Sequence, residues 1–182
     1  MYWYKISRYS TIGLFALMLA AAGCKPDVRQ SNGNLKYFDL AGYFKTEAAR
    51  LGKLAKPVLK TVSYNGQAET KSILIKNWPR ELDLFINSDI NKAAWKDSYN
   101  ISKNGDSVVY TTIDTNLHTR RIVLWSKQDK VTGLIISNFT KNMLYQTSEK
   151  LRYYPDSVYY IEKHQRVKLL GTNNYQITGK FK

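Results

Sequence analysis

The first periodic pattern in the chain is an apolar stripe early in the sequence. Five residues recur at steps of four, four, three and four, which is the spacing of one helix face: Leu40, Phe44, Ala48, Leu51 and Ala55. The pattern predicts a helix over 38–56. Asp39 is a suitable cap for its start, and Pro57 closes its end.

After Pro57 the period changes from that of a helix to that of a strand. Val58, Val62 and Tyr64 share one parity, and Asn65-Gly66 then predicts a tight hairpin turn with a return strand over 70–76. Trp78-Pro79 favours a short second helix, because proline suits the first turn of a helix. Residues 87–96 are predicted as a loop or a frayed helix.

The rest of the chain has the alternation and the turns of β-structure. Seven segments suit extended chain: 107–113, 121–126, 133–139, 143–147, 158–163, 167–170 and 175–181. Turn-like residues at 104–106, 127–130 and 171–174 connect successive strands, and connections this short imply that neighbouring strands are antiparallel. The prediction is an α+β fold, with both helices packed on a long curved antiparallel meander, half-barrel or barrel-like. The first helix is expected to fill the concave face.

The N-terminal segment has the three regions of a secretory signal. Lys5 and Arg8 lie in an acid-free start, and an apolar run over 12–22 follows. That run is about half of the roughly 20 residues that a bilayer span needs. The run Ala20-Ala21-Ala22-Gly23-Cys24 resembles the lipobox of bacterial lipoproteins, although Ala21 stands where leucine is commonest.

The resemblance implies cleavage between Gly23 and Cys24 and acylation of Cys24, which anchors the chain to a membrane. It divides the chain into a signal peptide (1–23), a tether (24–36) and one domain (37–182). No aspartate follows Cys24 directly, which implies the outer membrane, facing the periplasm. The segment resembles those of small uncharacterised outer-membrane lipoproteins of the Bacteroidetes type. The alternative is an ordinary secretory signal with a chance cysteine.

The charge is strongly basic, with 28 Lys and Arg against 14 Asp and Glu. In a secreted protein this excess points away from nucleic acid and towards an anionic glycan, a lipid or an acidic envelope protein. Lys45, Lys53 and Lys56 lie on the second face of the first helix and are a candidate basic surface. The simpler interpretation is an ordinary solvated helix face.

Adjacent tyrosines in two segments of extended chain, 151–155 and 157–161, are a candidate aromatic surface. Tyr153 and Tyr154, and likewise Tyr159 and Tyr160, point to opposite faces of extended chain, so one of each pair is expected to be buried. The other would lie exposed beside Arg152 or Lys163 and could stack on sugars or hold a partner. Routine cross-strand packing is the alternative.

No catalytic motif is found, and no cofactor or metal is expected. His118 lies in a predicted loop and His164 in a predicted hairpin turn over 163–166, and neither has a second ligand at metal-binding spacing. The sequence therefore favours a non-catalytic envelope lipoprotein that binds a partner protein or an anionic polymer. The alternative is a carrier that holds a lipid or another hydrophobic ligand in the cup of the curved sheet.

Overall fold

A computed structural model describes residues 35–182, which form three α-helices, one 3-10 turn and nine strands. The helices are α1 (Leu40–Leu54), α2 (Trp78–Glu81) and α3 (Asp83–Asn87), and the 3-10 turn is Ala93–Trp95. The strands are β1 (Val58–Tyr64), β2 (Gln67–Ile73), β3 (Tyr99–Asn104), β4 (Ser107–Thr112), β5 (Thr119–Lys127), β6 (Lys130–Lys141), β7 (Tyr145–Tyr154), β8 (Val158–Val167) and β9 (Gly171–Phe181). The predicted α+β class is confirmed.

Helix α1 begins and ends through local hydrogen bonds. The Asp39 carboxylate accepts a hydrogen bond of 2.7 Å from the Gly42 N–H at the first turn. At the other end Ala55 is left-handed, with φ of 47°, and its N–H bonds the Leu51 carbonyl. The helix therefore stops at Leu54, two residues before the predicted end. The predicted apolar stripe is buried over Leu40–Leu51.

All nine strands form one antiparallel sheet in the order β2-β1-β9-β8-β7-β6-β5-β4-β3. Strands β3 to β9 are a meander, and the β1–β2 hairpin joins it because β1 pairs with β9. Strands β2 and β3 are the two edges, so the sheet does not close on itself. Of the predicted half-barrel and barrel forms, the closed one is excluded.

The three helices pack on one face of the sheet, here called the inner face. Phe44 of α1, Phe85 of α3 and Tyr153 of β7 are fully buried there. The ring centroid of Phe44 lies 4.7 Å from that of Phe85 and 5.1 Å from that of Tyr153. Side chains fill this part of the inner face, and α1 covers it as predicted.

Three predictions for the C-terminal hairpin are wrong: the turns at 163–166 and 171–174, and the strand at 167–170. His164 lies inside β8, and Gly171 to Asn174 begin β9. The reversal occurs at 168–170, within the segment predicted as a strand. Two leucines in this turn mimic a strand, whereas the glycine and asparagines belong to β9. Strand β3 was missing from the prediction altogether.

Candidate functional site

The register of the sheet gathers cations on the face opposite the helices, here called the outer face. Side chains alternate between the faces, and the buried residues of each strand identify the inner one. Among the strands of residues 35–182, one acidic residue, Glu162, lies on the outer face. The strand cations of this face include Arg121, Lys141, Lys150, Arg152, Arg166 and Lys180, and Lys127 and Lys130 lie at one end of the same face.

Aromatic rings lie among these cations. The Arg152 guanidinium lies 4.6 Å from the Tyr160 ring centroid, a cation–π contact, and it also pairs with Glu162. On the neighbouring strands, the rings of Tyr154 and Trp125 lie over Gly133. A Cβ added to that glycine would stand 3.2 Å from Tyr154 Cε1 and 3.3 Å from Trp125 Cε3. The outer face thus combines half-buried rings with charges.

The four candidate tyrosines divide between the two faces. Tyr154 and Tyr160 are half-buried on the outer face, and Tyr160 lies beside Arg152 as predicted. Tyr153 and Tyr159 are fully buried, which confirms that one of each pair lies inside. These two are excluded from any aromatic surface, because the helices cover them.

The two buried tyrosines bind carboxylates of the helices. The Tyr153 hydroxyl donates to Glu47 of α1 and the Tyr159 hydroxyl to Glu81 of α2, each at 2.6 Å. Burial raises the pKa of both phenols, and the neighbouring carboxylates raise it further. Both hydroxyls therefore stay protonated and fix the helices to the sheet.

The three candidate lysines lie on the helix side of the molecule. Lys45 and Lys53 are exposed on α1, whereas Lys56 is exposed just beyond its end. None of the three forms an ion pair within residues 35–182. They form a second basic surface, separate from the outer face.

A buried carboxylate lies on the inner face at a position that the sequence did not indicate. Glu149 of β7 is 6% exposed, and Lys163 Nζ lies 3.1 Å from its Oε1. The Asn138 amide donates to Oε2 at 3.3 Å. His118 Nε2 stands 3.8 Å from Oε2, while its Nδ1 shares a hydrogen bond of 2.8 Å with Thr140 Oγ1.

This Glu149 cluster has an electrostatic rather than a metal-binding arrangement. Lys163 neutralises the carboxylate, and burial lowers the pKa of His118 against the opposing charge of Glu149. No group of three or more His, Cys, Asp or Glu among residues 35–182 is arranged to hold a metal ion. His118 and Glu149 are 31 positions apart, so only their strand pairing brings them together. The shared parity of Glu149 with Leu151 and Tyr153 was the available signal.

A cleft of about 660 Å³ opens beside His118 at one end of the sheet. It offers two cations, and the Arg120 guanidinium lies 5.3 Å from the Phe139 ring centroid. Hydroxyl and amide groups supply further hydrogen-bond donors. The lining residues are Thr115, Asn116, His118, Arg120, Phe139, Thr140, Lys141, Asn142 and Met143. The arrangement suits a small anionic group such as a phosphate or a carboxylate.

The predicted cleavage and lipidation residues, Gly23 and Cys24, lie outside the described residues. Within residues 35–182 none of the helices has the length and apolar character to cross a bilayer. Comparisons of the chain with protein-family models, with curated proteins and with solved structures gave no match.

Proposed function

We propose that this protein is a non-catalytic lipoprotein of a bacterial envelope that binds an anionic envelope polymer on its outer face. The lipobox-like sequence ending at Cys24 supports the anchor and a place in the outer membrane, facing the periplasm. The observation that carries the binding role is the register, which puts eight strand cations and one acid on the face opposite helices α1 to α3.

Acidic glycan is the polymer that fits this face best. Neighbouring strands lie roughly 5 Å apart, so cations on successive strands form a repeating array that a polyanion can follow. Arg121 and Lys150 both lie opposite Ser137, on either side of β6. Trp125, Tyr154 and Tyr160 present ring surface beside the charges, and sugar rings stack on such surfaces. The surface combines the two kinds of contact that an acidic sugar needs.

A role as a carrier of lipid in a cup gains no support from the inner face. Helices α1 to α3 and their side chains fill it where they cover the sheet. A cavity of about 190 Å³ lies beside the end of α1, next to Trp78 and Phe181. Sites for small molecules enclose roughly 300–1,000 Å³, so this cavity is too small for a lipid chain with its headgroup.

Binding of the full chain in detergent to polygalacturonate tests the proposal. We expect Arg121→Gln with Lys150→Gln to weaken binding on the order of tenfold, because exposed ion pairs contribute up to about 1 kcal/mol each. The matched control is Lys45→Gln with Lys53→Gln, which removes the same charge from α1. Added salt should weaken binding of the parent chain by screening.

Two results would contradict the proposal. Equal losses in the outer-face and α1 variants would show that net charge, and not this surface, governs binding. Binding unchanged by salt would remove the electrostatic basis. Tyr160→Ser supplies a separate arm, since it should weaken binding while the salt dependence stays as in the parent. Thermal unfolding midpoints identify any variant that is merely misfolded.

A further inference from the structure

Four large apolar side chains project into water from two turns at one end of the sheet. Met143 and Leu144 lie between β6 and β7, and Leu169 and Leu170 lie between β8 and β9. Their exposed fractions are 88%, 71%, 95% and 81%. The Lys168 N–H donates a hydrogen bond of 3.0 Å to the Leu144 carbonyl, which joins the two turns. These four residues are called the apolar tip.

Hydrogen bonds hold both turns in shape. The Asn142 side-chain oxygen accepts from the N–H groups of Leu144 and Tyr145, at 2.9 and 2.8 Å. The Leu170 N–H bonds the Val167 carbonyl at 3.2 Å. Tight turns usually carry glycine, asparagine or other polar residues. Ordered turns that expose a methionine and three leucines instead indicate a surface meant for an apolar environment.

Cations surround the apolar tip and acids do not. Lys141, Arg166 and Lys168 flank the two turns, and the sequence has no acid over 139–147 or 165–173. Within residues 35–182 none of these three cations forms an ion pair. Met143 also lines the 660 Å³ cleft that holds Arg120 and Lys141. Apolar side chains therefore adjoin a cleft suited to a phosphate.

We propose that the apolar tip docks on an anionic phospholipid surface. The four apolar side chains enter the boundary between headgroups and acyl chains, and Lys141, Arg166 and Lys168 contact lipid phosphates. The cleft beside Met143 receives a phosphate headgroup. Docking by this end leaves most of the outer face free, because the strands run away from the membrane and only Lys141 and Arg166 of the outer-face cations lie beside the tip. The proposal depends neither on acylation of Cys24 nor on glycan binding.

Depth-dependent fluorescence quenching of the full chain in vesicles tests the docking. Leu170→Cys carries a fluorophore at the tip, and Ser157→Cys carries it in the exposed β7–β8 turn at the opposite end of the sheet. The parent chain, labelled in parallel, corrects for any reaction at Cys24. In vesicles of phosphatidylcholine and phosphatidylglycerol with spin-labelled acyl chains, position 170 should lose most of its fluorescence and position 157 little.

A second variant tests the charges. Lys141→Gln, Arg166→Gln and Lys168→Gln together should reduce the loss at position 170 towards that at position 157. All three side chains are exposed, so unfolding midpoints should not change. Equal quenching at positions 157 and 170, or no quenching at 170, would overturn the proposal. If the tip docks on a protein and not on a membrane, position 170 should show no quenching. If quenching at position 170 is the same with and without the three glutamine substitutions, recognition of anionic lipid is refuted.

Discussion

Gly179 of β9 lies directly beneath the ring of Tyr159 on the neighbouring strand. A Cβ at this position would stand 2.0 Å from Tyr159 Cε1, far inside van der Waals contact. The ring is held in place, because its hydroxyl donates to Glu81, whose carboxylate also pairs with Lys60 at 2.7 Å. The rings of Phe181 and Trp78 also contact it, at centroid distances of 5.9 and 6.4 Å. A shift of the ring would therefore disturb its hydrogen bond to Glu81 and its aromatic contacts.

Gly179→Ala should destabilise the protein by about 2 kcal/mol or more, since overpacking of a filled core typically costs 1–3 kcal/mol. Urea unfolding of the full chain measures the change. Gly171→Ala is the matched control, because Gly171 has φ of +85° but no heavy atom within 4 Å of the added Cβ. Its cost is backbone strain alone, about 1 kcal/mol. A Gly179→Ala loss no larger than that of the control would contradict the packing.

His118 gives the folded state a dependence on pH. Burial lowers its pKa below the usual value near 6.5, so the unfolded chain binds more protons at mildly acidic pH. Stability should therefore decrease as the pH falls through about 6.5, and His118→Gln should reduce this decrease. Denaturant unfolding at a series of pH values measures both slopes. An unchanged slope in the variant would show that His118 does not contribute.

At the scale of elements, local patterns predicted what local interactions determine. The apolar stripe of α1, its Asp39 cap and the Asn65-Gly66 turn depend on residues close in sequence, and all three are found. The β8–β9 hairpin was predicted at the wrong residues. There the turn is fixed by pairing such as Ile161 with Ile177, which no local pattern reveals.

The candidate site shows the same division. Alternation correctly predicts that one tyrosine of each adjacent pair faces outward, but it does not say which one. The strand register shows that the outward residues are Tyr154 and Tyr160. The contact between His118 and Glu149 has no signal in the sequence, because it joins residues 31 positions apart. The outer-face cations come from five strands, β5 to β9, and so form no contiguous motif. They can be counted from the sequence, but their common face cannot be located from it.

At the scale of the whole molecule, different chemistry occupies each side of the sheet. The inner face bears the helices and the core, whereas the outer face bears cations and half-buried rings. One end carries the apolar tip. A protein that docks by that end and binds polymer on its outer face could use both at once, because only Lys141 and Arg166 belong to both surfaces.

The pairing of β1 with β9 has a consequence for how the chain folds. Lys60 pairs with Gly179, and 119 positions separate them, so the first hairpin gains its central neighbour only after the last strand exists. A pairing of this kind must close a long loop before it is rewarded, and such loop closure slows folding. Removal of residues 171–182 should abolish the cooperative unfolding transition, because both β1 and β8 lose a partner. A sharp transition in the shortened chain would contradict this. During synthesis, more than a hundred residues must follow β1 before the sheet can be completed. Until β9 is present, the edges of β1 and β8 that pair with it remain open to association with other chains.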